Sequence, residues 1–237
     1  MDNLSQFNRA AASAAQVRYD EGLRTHMLGI YRNMGLGLAL TGLVALGVAS
    51  TPALAALIFG TPLKWVAILA PLAFVFFFTF RIERMTTATA RTTFFLFAGV
   101  MGVSMASIFL VFTNTSIAMA FFTAAAMFAG LSLWGYTTGR DLTGLGSFLM
   151  VGLIAVIGAS LINLFIGSSV LTMAVSAIGV IVFAGLTAWD TQRLKSEYLA
   201  YGRSEAADKL AIMGALSLYL NLINMFQLLL NFMGERE

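Results

Sequence analysis

Asp190 is the residue whose type and position most invite chemistry. It closes an apolar stretch in VFAGLTAWDTQRLK, whereas the other ten of the eleven acidic residues lie in tails, loops or charged connections. An ionisable group drawn below the headgroups of a bilayer is costly and marks a functional site by default. The competing reading is an interfacial aspartate that caps its helix or pairs with Arg193 in water. A second feature is the last apolar stretch, Ala215 to Gly234, which carries Ser217, Asn221, Asn224 and Asn231 at spacings of four, three and seven. With Leu228 filling the gap, these residues make a polar stripe along one helical face. Lipid cannot satisfy amide side chains, so the stripe must face protein or water. Arg81 ends a third apolar stretch, RIERMTTATAR following it. Asn221 lies roughly 16 Å along a helix from Leu210 at 1.5 Å per residue, so Arg81, Asp190 and Asn221 can converge in one half of a bundle. For Asn221, and more strongly for Asn224, Gln227 and Asn163, inter-helix hydrogen-bond glue is the competing role.

The elements that must position these residues are membrane helices. The chain has 237 residues, 59% hydrophobic and 11% charged, with a mean hydropathy of +0.86. Such a composition belongs to a polytopic helical membrane protein, with no room for a separate soluble domain. The pattern predicts a polar tail over residues 1–26, either a surface helix or mobile, and a seven-helix domain over 27–234. Spans are expected at about 27–50, 63–80, 92–112, 117–137, 145–165, 170–190 or beyond, and 215–234. An apolar loop with Pro52 and Pro62 joins the first two, and Pro71 is expected to kink the second. Gly35, Gly37, Gly42 and Gly47 in the first helix, and Ala126 with Gly130 in the fourth, are expected close-contact positions. The last helix, polar along one face, is expected at the centre with six others around it. Seven spans put every lysine and arginine of the fourteen except Lys64 and Arg236 on one face. The positive-inside rule then places the N-terminus in the cytoplasm and the C-terminus outside.

The inventory also removes several activities. There are no cysteines and a single histidine, His26, ahead of the first span. That leaves no thiol chemistry, no His-rich metal site and no base for an intramembrane serine protease. No lysine lies within a span to carry a retinal Schiff base. One intramembrane carboxylate is too few for a high-affinity calcium site. The chain is therefore expected to be no enzyme, to hold no cofactor or metal and to bind no nucleic acid; a channel, leak, carrier or binding partner remains. The basic balance, with a pI near 9.4, is assigned to loops on one membrane face. No cleaved signal peptide is expected.

GLTAWDTQRLK, SLYLNLINMFQLLLNFMG and GRDLTGLGSFL resemble the Bax inhibitor (transmembrane BAX-inhibitor-motif) family in its bacterial branch, over helices two to seven. The resemblance implies a seven-helix fold around a central seventh helix and a pH-sensitive calcium leak in a bacterial inner membrane. It also implies a sensor pair of aspartates in helices six and seven, with an arginine latch at the end of helix two. Those positions are Asp190, Asn221 and Arg81, so the sequence departs from the pattern at Asn221. An aspartate beside an amide lacks the like-charge partner through which two carboxylates share a proton. The expected activity is a cation leak gated on the cytoplasmic side by Asp190, Asn221 and Arg81. Ser217, Asn224 and Asn231 are its candidate pore-lining residues, and calcium or another cation is the permeant ion. The alternative is a non-conducting regulator that binds another membrane protein, such as a membrane-bound protease, in which case a long lipid-exposed polar groove is expected rather than a buried stripe.

Overall fold

A computed structural model describes residues 2–202 and 204–236, with side chains from residue 21 onward among the first forty. The side chains of the expected tail, up to residue 20, lie outside the described residues. Eight α-helices follow in chain order: α1 (Asp2–Ala49), α2 (Pro52–Phe59), α3 (Leu63–Arg81), α4 (Thr87–Met105), α5 (Asn114–Thr137), α6 (Thr143–Ile166), α7 (Ser169–Tyr201) and α8 (Glu205–Met233). Seven of them are long and apolar enough to cross a membrane, from α1 (its part Glu21–Ala49) and α3 through α8. The expected all-α, seven-span architecture is thus present. Among the described residues there is no strand, only a single bridge between Phe112 and Arg236.

The helix ends follow from local chemistry. Thr86, Thr113, Ser168 and Ser204 each accept a backbone N–H of the first turn of α4, α5, α7 and α8 with a side-chain oxygen, as N-caps do. These caps start α4 and α8 earlier than hydropathy alone placed them. Gly167 ends α6 at φ 67°, a left-handed position that favours glycine. The proline-bearing link 51–61 is not a loop: Pro52 opens α2, where its missing N–H costs nothing. α1 already packs before Met27, because Leu23, Met27, Ile30 and Met34 form one buried helical face.

α8 is the most enclosed span, with 67% of its apolar window buried against 11% for α6. It packs on α1, α4, α5 and α7, while α3 packs chiefly on α4 and α6 on α7. Four helices therefore form its main surround, and α3 and α6 stand outside them. Tyr219 anchors this packing. It is fully buried, and its ring meets Phe94 and Phe97 edge-on. Thr41 Oγ1 donates to the Ala98 carbonyl at 2.8 Å, so the 2.6 Å bond between Thr41 and Tyr219 has the phenol as donor. One hydroxyl pair thereby ties α1, α4 and α8 together.

Of the expected close-contact glycines, Gly37 is one, since an added Cβ would stand 2.8 Å from the Phe94 ring of α4; the others are not. A Cβ on Gly130, Gly35, Gly42 or Gly47 would meet nothing within 4 Å, and Ala126 and Gly130 are exposed. The tight approach of α5 to α7 is at Gly135, against the backbone of Ala188. Small-xxx-small spacing marks where helices can meet, and the surrounding topology chooses the face.

At the far end, the Thr113 N–H donates to the Glu235 carbonyl at 3.1 Å and the Glu235 N–H donates to Ser116 Oγ at 2.9 Å. The C-terminus is clasped to the α4–α5 turn, so both lie on one side, opposite the basic connections, as a seven-span count requires.

Candidate functional site

α7 does not stop at Asp190 but runs on to Tyr201, about three more turns. Asp190 is consequently a mid-helix residue, 5% exposed. α7 and α8 are antiparallel neighbours in a steady register. Leu194 lies against Gly214, Asp190 meets Asn221, and Leu228 lies against Gly179. The Asn221 amide donates to Asp190 Oδ2 at 2.7 Å. The other carboxyl oxygen, Oδ1, faces an Arg193 guanidinium nitrogen at 2.8 Å. Both oxygens are served, which a buried carboxylate requires.

Two members of the expected trio therefore meet, and the third does not. Arg81 is exposed at the end of α3, and the cation on Asp190 is Arg193. The reason is geometric. Residues three apart on a helix are neighbours whatever the tertiary fold, whereas α3 packs on the outside of α4. Ile82, one residue on, turns inward and is buried, which sends Arg81 out. Arg193 also lies 4.9 Å from the Trp189 ring centroid and 3.4 Å from Glu197 through its Nε. Its side chain keeps 36% exposure, so it borders water while its partner does not.

That water-facing side is a cleft of about 640 Å³ among the 3₁₀ turn Ile82–Arg84, the end of α7 and the start of α8. Glu83, Arg193, Glu197, Glu205 and Lys209 supply its charges, and Ser217 lies at its deep end, one turn before Asn221. Of the polar stripe, Ser217 borders the cleft, Asn221 is buried and Asn224 is half-buried. Asn231 is exposed. Between the last two, Leu228 presses on Gly179, where an added Cβ would stand 2.6 Å from Leu228 Cδ1 and 3.4 Å from Val156 Cγ1. The stripe is therefore interrupted by an apolar contact and is not one continuous polar face.

The segments around Asp190 are held by residues that carry no membrane signal of their own. Gln192 accepts the Leu142 N–H at 2.8 Å and donates to the Arg140 carbonyl at 2.7 Å. Lys195 donates to the Tyr136 carbonyl at 3.1 Å. Gly146 lies against the Trp189 indole. GRDLTGLGSFL and WDTQRLK are thus partners in space, and Gln192 is the residue that joins them. Sequence reading passed it over because a single glutamine in a charged connection has no periodic signal. Beside it, Thr191 donates to the Thr187 carbonyl at 2.8 Å, so Ser132 donates to Thr191 at 3.0 Å and Tyr31 to Ser132 at 2.6 Å. This chain of hydroxyls links α1, α5 and α7 one residue from Asp190. In the same connection, hydrogen bonds from Thr143 hold the exposed Asp141 carboxyl below the usual carboxylate range.

The family described as Inhibitor of apoptosis-promoting Bax1 matches residues 23–237. The chain is 45% identical to an uncharacterized protein of Rickettsia prowazekii, over 92% of this chain and 93% of that one. It is 41% identical to an uncharacterized protein of Caulobacter vibrioides, over 98% of each. With the inner membrane protein YbhL of Escherichia coli K12 it shares 40% identity, over 97% of this chain and all of YbhL.

Proposed function

The chain belongs to the Bax inhibitor family and is a multi-pass bacterial inner-membrane protein, and from that premise we propose that it is a cation leak. Calcium is the permeant ion we assign first, and the gate is the contact of Asp190 with Asn221 and Arg193. The observation that carries the reading is the position of this contact. Its Arg193 lines a charged cleft of about 640 Å³ together with Ser217, one turn before Asn221, on the side where the basic connections lie. Beyond it the α7–α8 seam continues as Leu228 against Gly179. A cation entering the cleft meets carboxylates first and then the single buried one. Release of Arg193 toward its exposed side would bare Asp190 Oδ1 to that ion, and rings or clusters of carboxylates favour cations in such a path. The deep half of the stripe is buried rather than spread as a lipid-facing groove, which favours a leak over a docking regulator. Arg193 takes the latch position that the family pattern gave to Arg81.

Calcium flux into vesicles holding the purified protein, recorded from pH 5 to 8, tests this. The wild type is expected to conduct, with at most a single-site pH dependence, because Asn221 does not titrate. Asn221→Asp places two carboxylates within reach of one proton, so its response should move to higher pH; Asn221→Ala should show no such move. An unchanged midpoint in Asn221→Asp removes Asp190 and Asn221 as the gate. No flux in the wild type at any pH removes the leak and favours a regulator that binds another membrane protein, such as a protease.

A further inference from the structure

α1 and α5 both flank α8 but leave a crevice between them. Toward the basic face it is a slot of about 460 Å³ lined by Met27, Leu28, Tyr31, Phe128, Leu133 and Tyr136, with Ala129 in its wall and Arg24 at its mouth. Toward the other face a second apolar space of about 340 Å³ reaches Ile223 and Phe226 of α8. The hydrogen bond from Tyr31 to Ser132 bridges the two helices at the slot. Three features place the slot at headgroup depth. Tyr31, Tyr136 and the exposed Trp134 are amphipathic rings of the kind that gather at a membrane interface. Arg24 is exposed and is, among the described residues, the only charged one lining the slot. A second cation, Lys195, sits 5.3 Å from the Tyr136 ring centroid on the adjacent wall. The slot is apolar inside and cationic at its rim, on the face where the basic connections cluster.

We infer that this slot binds one anionic phospholipid of the inner leaflet, an acyl chain lying between α1 and α5 and the phosphate on Arg24, with Lys195 adding to the attraction. Apolar lining alone would accept any lipid tail. The charge at the rim selects the headgroup, because an anionic one is attracted to lysine and arginine near the surface. This site is separate from the Asp190 cleft and does not depend on the leak reading.

Native mass spectrometry of the purified full chain, stripped of lipid and titrated with phosphatidylglycerol or phosphatidylcholine of matched tails, tests it. One phosphatidylglycerol should be retained at a tenfold or greater advantage over phosphatidylcholine. Arg24→Ala, a change at an exposed residue, should bring the two to parity. Ala129→Phe fills the slot and should abolish retention of both, and Leu28→Phe serves if that variant does not fold. Equal retention of the two lipids by the wild type overturns the inference, as does an undiminished preference in Arg24→Ala. Retention unaffected by filling the slot also overturns it. A lipid-insensitive dimer mass lost on filling the slot would put a second copy there instead.

Discussion

The two halves of the α7–α8 seam are built on opposite principles. Toward the basic face it holds Asp190, Asn221 and Arg193 in a polar cluster whose arginine lines a charged cleft. Toward the other face the same two helices meet through Gly179 and Leu228, with Val156 of α6 beside them. The polar half is specified by direction: each hydrogen bond fixes one rotamer and one register, and its loss leaves a buried group unserved. The apolar half is specified by volume, and a glycine lets Leu228 seat itself deeply. One helix pair is therefore polar to mid-depth and apolar beyond. The difference also says where each half is vulnerable.

The largest effect is expected from Asp190→Ala. It strands the Asn221 amide in a buried site and removes the carboxylate that Arg193 faces. An unserved buried donor costs about 1–3 kcal/mol, and the half-exposed arginine adds little more because water screens it. A thermal-unfolding scan in detergent should show a clearly lowered midpoint, with leak altered in vesicles. A wild-type midpoint would erase the contrast between the halves.

Leu228→Ala addresses the dry half. Removing a partly buried leucine beside Gly179 should cost less stability than a fully buried leucine, for which about 2–5 kcal/mol is usual. Flux, however, should rise several-fold if the apolar contact is part of the barrier. A rise in flux with little loss of stability would sharpen the comparison; unchanged flux would confine the barrier to the polar half.

The smallest effect separates the two arginines. Arg193→Gln should change flux, while Arg81→Gln, at an exposed position away from Asp190, should leave both flux and stability within error. The reverse ranking would restore Arg81 as the latch and set Arg193 aside.

Much of this fold is a one-dimensional property of the chain. Seven apolar stretches, the basic bias of alternate connections and the polar stripe of α8 are each read from residue type and spacing, since a bilayer imposes length and polarity on every span. Asp190 stood out because an acid in an apolar stretch is conspicuous on its own. Asn221 could be paired with it because both lie on the same half of the bundle when measured along their helices. The ordering of helices around α8 is different in kind: hydropathy gives each span's length but not its neighbours, so α3 and α6 could not be told from the inner four.

What the sequence determined by itself is class, span number, orientation of the charge bias and the identity of the one costly acid, because these depend on composition and on periodicity within single helices. Only the tertiary structure decided that Arg81 stays away from that acid, which glycines touch a neighbour and that Gln192 joins two distant motifs. It also decided that Leu228, the apolar residue within the stripe, seats against Gly179. Each of these depends on which faces of different helices meet. That choice belongs to the packed bundle as a whole, where Arg81 is turned outward by the burial of Ile82 and Arg193 needs nothing beyond its own helix to reach Asp190.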